Sequence, residues 1–202
     1  MTAHDFSQPP TYYDSRFGRD AVKILPGQYY VTAEDKLIVT VLGSCVAVCL
    51  YDPITEVGGM NHFMLPNNKQ IDKMSFEANR YGVHAMEVLL NDCLHLGGEK
   101  KRLVAKVFGG ARVLPGYVQN DIGATNSEFA IDFLRTENIP ILASDLMANY
   151  ARKIYFTPST GSVLMKRIYD MNNNTIHDRE AELAMRVNEE TKATGSIDMF
   201  GN

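Results

Sequence analysis

The sequence predicts one domain of the α/β or α+β class, and three observations carry that reading. The chain has 202 residues, 45% hydrophobic and 22% charged, enough for a single compact core. Short apolar runs rich in β-branched residues, bounded by glycine, proline and aspartate, occupy 37–42 and 46–51. Segments with three- and four-residue apolar spacing alternate with such runs further on.

Taken in order, residues 1–20 read as a polar leader, although Pro9-Pro10 and Tyr12-Tyr13 could dock as an extended segment. Residues 21–31 form a strand candidate interrupted at Pro26-Gly27. The runs 37–42 and 46–51 follow, separated by Gly43-Ser44 and closed by Asp52-Pro53. A third run, 57–65, ends at Pro66, and the polar stretch 67–77 reads as a loop. Val83, Met86, Leu90 and Leu94 predict a helix over 80–96, stopped by Gly97-Gly98.

A strand is expected over 103–108, ending at Gly109-Gly110, and a helix over 127–138 with Asn126 as its N-cap. Strands over 139–144, 153–158 and 162–168 complete a domain spanning 21–168. Residues 169–202 form a charged C-terminal extension. After Asn172-Asn173-Asn174, the segment 176–192 predicts a helix with a weak stripe of Leu183, Met185 and Val187, exposed or docked. Met60, Met64 and Met86 sit in apolar contexts and read as core.

Several classes are excluded or made less attractive. No apolar run approaches 20 residues, so no membrane insertion is expected. The N-terminus lacks a signal-peptide core. A net charge of −4 argues against nucleic-acid binding. Three cysteines, Cys45, Cys49 and Cys93, fit free thiols in a reducing cytoplasm. Cys45 and Cys49 lack CxxC spacing, and the few nearby ligands predict neither a metal nor another cofactor.

Cys45 is the strongest candidate for chemistry. A lone cysteine is ordinarily a small core hydrophobe, and Cys49 and Cys93 keep that reading. Gly43 and Ser44, however, make a tight turn at a strand end, where a thiol is presented and N–H groups can face an oxyanion. His62 follows Gly58-Gly59, and an antiparallel strand pair would bring it to Cys45, as a base to its nucleophile. A satisfied structural histidine is the ordinary alternative. Thr40 is a third candidate, able to orient an imidazole, although threonine is common in strands. His84 and His95 fall on the helix, and His4 and His177 in polar regions. Phe108-Gly109-Gly110-Ala111 lacks the lysine of a phosphate loop and reads as a turn or a substrate-approach surface.

The blocks Thr40-Val41-Leu42-Gly43-Ser44-Cys45 and Gly58-Gly59-Met60-Asn61-His62-Phe63-Met64-Leu65-Pro66 resemble the signature of the chemoreceptor glutamine deamidases, the CheD family. The resemblance continues through Lys106-Val107-Phe108-Gly109-Gly110-Ala111, Ile122-Gly123 with Asn126, and Arg152-Lys153-Ile154-Tyr155-Phe156. It implies layered mixed sheets flanked by helices, similar to bacterial toxin deamidases. It also implies cytoplasmic hydrolysis of glutamine side chains to glutamate on methyl-accepting chemotaxis receptors, without cofactor or metal. The family's cysteine falls on Cys45, its histidine on His62 and its threonine on Thr40. The receptor cytoplasmic domains are the implied partners, with a CheC-type phosphatase as another.

Two positions depart from the pattern. Thr125 stands where an arginine is usual, and Met147-Ala148 where many members carry two glycines. A non-catalytic adaptor that binds the receptors or a CheC-type phosphatase is the rival reading, and a thiol redox sensor using Cys45 and Cys49 a weaker one.

Overall fold

The computed structural model describes residues 9–66, 74–112, 122–169 and 175–193. Among the described residues, ten strands and three helices run in the order β1 (Thr11–Asp14), β2 (Arg19–Lys23), β3 (Tyr29–Thr32), β4 (Leu37–Leu42), β5 (Val46–Tyr51), β6 (Gly58–Asn61), α1 (Met74–His95), β7 (Val104–Gly109), α2 (Ile122–Thr136), β8 (Ile141–Leu146), β9 (Ala151–Thr157), β10 (Ser162–Ile168) and α3 (Thr175–Ala193). The strands form two five-stranded mixed sheets, ordered β1-β2-β4-β9-β10 and β3-β6-β5-β7-β8. This is the expected mixed α/β class.

The layering follows from how strand faces alternate. In β5, Val46, Val48 and Leu50 point to α1 and α2, where they join Phe63, Met86, Leu89, Cys93 and Leu134. Ala47, Cys49 and Tyr51 point the other way and meet Ile38, Leu42, Ile154 and Phe156 of the first sheet. A strand buried on both faces carries no polar alternation, which is why 46–51 is an unbroken apolar run. In β4, Ile38 and Leu42 face the second sheet, while Leu37 and Val39 face outward beneath Phe17. Thr40 shares the inward face with Ile38 and Leu42.

Several boundaries differ from the sequence reading. Thr11–Asp14, within the polar leader, pairs antiparallel with β2, the extended docking that Pro9-Pro10 and Tyr12-Tyr13 allow. α1 begins at Met74, inside the stretch read as loop; 67–73 lie outside the described residues. α2 begins at Ile122, so Asn126 lies within the helix and is not its cap. Met147 adopts φ 56° and donates its N–H to the Gly109 carbonyl at 3.1 Å. Arg152 is fully buried, paired with Asp145 and set over the Tyr150 ring at 4.7 Å, tying β9 of one sheet to β8 of the other.

Met60, Met64 and Met86 are core, as expected, and Cys49 and Cys93 are buried free thiols. His84 and His95 lie on the exposed side of α1. His4 lies outside the described residues. Among the described residues, no helix is long and apolar enough to cross a membrane.

Leu89 is wholly buried between α1 and the second sheet, whereas Leu164 on β10 is 60% exposed. Leu89→Ala should lower unfolding stability in urea by about 2–5 kcal/mol through lost burial and a residual cavity. Leu164→Ser should change it by less than about 0.5 kcal/mol. Equal effects at the two positions would contradict the layering.

Candidate active site

The chain crosses from the first sheet to the second through Gly43-Ser44-Cys45, the three residues between β4 and β5. Every carbonyl of this turn is tied down on one side. Gly43 O accepts from Ala111 N–H at 2.7 Å, Ser44 O from Asn126 Nδ2 at 3.0 Å, and Cys45 O from Gly110 N–H at 2.8 Å. The backbone behind the turn approaches so closely that a Cβ on Gly109, whose φ is 119°, would stand 2.1 Å from the Cys45 carbonyl oxygen. Only glycine fits there. Asn126 also accepts from Leu65 N–H at 2.8 Å, so one buried amide fastens the turn to the segment after His62. Sequence reasoning gave Asn126 and Gly110-Ala111 no such role; the one available signal was two glycines at a strand end followed by Gly123 and Asn126.

The held carbonyls of Gly43 and Ser44 turn the N–H groups of Ser44 and Cys45, which share their peptide units, forward; with Gly43 N–H these meet the carboxylate of Glu180 from α3. Oε1 accepts from Gly43 N–H at 2.8 Å and Cys45 N–H at 3.1 Å; Oε2 accepts from Ser44 N–H at 2.9 Å and the Ser44 hydroxyl at 2.7 Å. A Cβ on Gly43 would lie 2.9 Å from this carboxylate, so an anion needs glycine there. The arrangement is an anion-binding nest. The sequence reading expected N–H groups of the Gly43-Ser44 turn to face an oxyanion; the N–H groups of Gly43, Ser44 and Cys45 all meet the carboxylate. It missed Glu180, which reads in sequence as one of several surface charges on a charged helix. Met185, expected in the apolar stripe, is instead 63% exposed, while Leu183 and Val187 are buried.

β5 and β6 pair antiparallel, and an isolated bridge between Val46 and Phe63 extends the pairing past the strand ends. Cys45 and His62 each precede a partner of that bridge and lie diagonally across the pair, with the sulfur and a ring nitrogen within 4.8 Å of each other. The His62 backbone is fixed from both sides, accepting from Gly27 N–H at 2.7 Å and donating to Gln28 O at 2.9 Å. Thr40 reaches across from the first sheet, 2.8 Å from His62 Nδ1. Its hydroxyl proton goes to the Ile24 carbonyl at 2.9 Å, so the oxygen accepts from Nδ1–H. The ring is thereby set in the tautomer that leaves a lone pair on Nε2. That atom is buried and has no hydrogen-bond partner among the described residues.

Cys45 is 0% exposed, His62 1% and Thr40 1%. The Cys45 sulfur, a His62 ring nitrogen and a Glu180 oxygen lie within 4.8 Å of one another. Burial, and then the neighbouring Glu180 charge, push the Cys45 thiol well above its ordinary value. Burial pushes His62 down to about 4, against the opposing pull of Glu180. With α3 in place, the pair is a neutral thiol beside a neutral imidazole.

Cys45, His62 and Glu180 are also donors of the kind zinc takes. The geometry favours an anion instead. Three N–H groups converge on the seat, and each carboxylate oxygen already accepts two hydrogen bonds. A thiol, an imidazole with a free lone pair and an oxyanion nest are the parts of acyl transfer through a cysteine.

The family model for CheD chemotactic sensory transduction matches residues 64–167. The chain is 51% identical over 196 residues to the probable chemoreceptor glutamine deamidase CheD 1 of Shewanella oneidensis, covering 96% of this chain and 95% of that protein. It is 50% identical to a probable chemoreceptor glutamine deamidase CheD of Herminiimonas arsenicoxydans, covering 94% of this chain and 93% of the other. For the corresponding CheD 1 protein of Dechloromonas aromatica the figures are 48%, 94% and 93%. Matches of this length run through the inter-sheet turn and both sheets, and on them this chain belongs to the CheD family.

Proposed function

We propose that this protein hydrolyses glutamine side chains of chemoreceptors to glutamate through a thioester on Cys45. The carrying observation is the three-donor nest of Gly43, Ser44 and Cys45, already filled by a carboxylate, beside a thiol and an imidazole with a free lone pair. Membership of a family whose relatives are named chemoreceptor glutamine deamidases supplies the substrate class.

On this reading His62 Nε2 takes the Cys45 proton as sulfur attacks the amide carbon. Charge developing on the amide oxygen is met by the turn N–H groups. One such donor is worth about 3 kcal/mol in well-studied acyl transfer, so three such donors are a large part of the catalysis. The proton then passes from His62 to the amide nitrogen, the C–N bond breaks and ammonia leaves. Water, deprotonated by the same nitrogen, attacks the thioester carbon, and glutamate departs as the thiol re-forms. Thr40 holds the ring so that Nε2, not Nδ1, faces the sulfur. No step calls for a cofactor or metal.

The receptors' cytoplasmic domains are the partners this function requires, which places the protein in the cytoplasm. A CheC-type phosphatase is proposed as a second partner. An adaptor bound to either would keep its function without the Cys45 thiol.

Incubation with a receptor cytoplasmic fragment should raise the mass of specific glutamine peptides by about one unit each, the amide-to-acid change of hydrolysis. A folded Cys45→Ala protein should give no gain. Deamidation by Cys45→Ala at the wild-type rate would overturn the assignment of the nucleophile. Absence of deamidation by wild type on a cognate receptor would favour the adaptor.

The depressed His62 value also makes a stability prediction. Between its ordinary 6.5 and the folded value of about 4, the unfolded chain takes up a proton that the folded chain does not. Stability from this group is therefore present above about pH 6.5 and lost as pH falls towards 4. Urea unfolding from about pH 7 down to about pH 4.5 should show a smaller loss for His62→Gln than for wild type. Equal losses would mean His62 is not held neutral in the fold.

A further inference from the structure

α3 has the spacing of a docked segment. Glu180, Leu183 and Val187 fall on one face at three- and four-residue steps, and all three are buried. Leu183 and Val187 join Ile24, Leu42 and Met64 in the inter-sheet core. Gly27 leaves room for this: a Cβ there would lie 3.2 Å from Leu183 Cδ1. Arg186 Nη2 donates to the Pro26 carbonyl at 3.4 Å.

A buried carboxylate is costly unless its lone pairs are fully used. Anchoring a helix by two apolar side chains needs no such group. Glu180 nevertheless enters the one place where three backbone N–H groups await an anion, with an oxygen within 4.8 Å of both the Cys45 sulfur and the His62 ring. A glutamate side chain seated there, borne on a helix, is what hydrolysis of a helix-borne glutamine leaves behind.

We infer that α3 is a tethered product mimic: Glu180 occupies the seat of the substrate's glutamine side chain, and a substrate helix enters by displacing α3 from the same groove. The inference rests on the deamidase reading above. In the docked state Cys45 is sealed from solvent and its nest is filled, so turnover begins when α3 leaves. The groove accepts a helix with the reacting side chain at one position and apolar residues three and seven positions on.

The test uses the full chain. Glu180→Gln replaces the seated product with an amide in the same place. Water should add to its carbonyl carbon by way of the Cys45 thioester, the C–N bond should break, and ammonia should leave. Peptide mass spectrometry should find a gain of about one mass unit at position 180 in this variant and none when Cys45→Ala is added. No gain at position 180 from a preparation whose wild type deamidates a receptor fragment would overturn the product-mimic reading and leave the enzyme intact. No gain from either would overturn the deamidase reading with it.

A second measurement needs no substrate. Iodoacetamide should alkylate Cys45 at least ~10-fold faster in Glu180→Ala/Leu183→Ala/Val187→Ala, which removes the carboxylate and both apolar anchors, than in wild type, because thiol reactivity follows access and thiolate character. Cys49 and Cys93 should keep their wild-type rates. An unchanged Cys45 rate would overturn the occlusion.

Discussion

The site depends on one constraint: the carbonyls of Gly43 and Ser44 are bound from behind, so the N–H groups of the same peptide units, those of Ser44 and Cys45, face forward. Each of these bonds is worth about 1 kcal/mol net, a small figure. Their value is directional. A peptide unit whose oxygen is held cannot rotate its N–H away, so two of the three donors, Ser44 N–H and Cys45 N–H, are set before any anion arrives. The price is paid in sequence: Gly109 beneath Cys45 and Gly43 in front of it have no room for a side chain. It also requires β7 and α2 to meet behind the turn, which explains why a strand-end Gly-Gly and a helix-borne Asn126 belong to the same structure as Cys45.

The second element is the reach of Thr40 from one sheet to His62 on the other. Both side chains are buried in the inter-sheet layer, and among the described residues the hydroxyl's other partner is Ile24 O. That second bond fixes the imidazole tautomer without a buried acid. Burial also keeps the imidazole and the thiol neutral while Glu180 is seated. Removing the carboxylate removes a negative charge beside the sulfur, and undocking of α3 exposes the thiol; both changes favour the thiolate. On the displacement proposed above, substrate entry and activation of the Cys45 thiol are the same event.

Much of this was legible in the chain because strands buried on both faces write unbroken apolar runs. The bounds of β4, β5 and β10 match the sequence reading to the residue. The pairing of Cys45 with His62 followed from two glycine turns flanking a strand pair. Helix starts were less legible. Met74 opens α1 within polar residues, and Ile122 opens α2 beside a glycine, where propensity argues for a loop and tertiary packing decides otherwise. Asn126 was misread for the same reason, since an Asn before an apolar helical run looks like a cap. Glu180 carried only a weak signal, its place in helical register with Leu183 and Val187. Its partners lie 135 to 137 positions away, and nothing else local separates it from Glu182 or Glu189.

The most direct test of the preset turn is amide hydrogen exchange, followed by NMR, in wild type and Glu180→Ala. If the turn is held from behind, Gly110 and Ala111 stay protected in the variant, while Gly43, Ser44 and Cys45 gain exchange as their anion is lost. If Gly110 and Ala111 lose protection together with 43–45, the carboxylate is building the nest rather than filling it, and the account of a preformed oxyanion site is wrong.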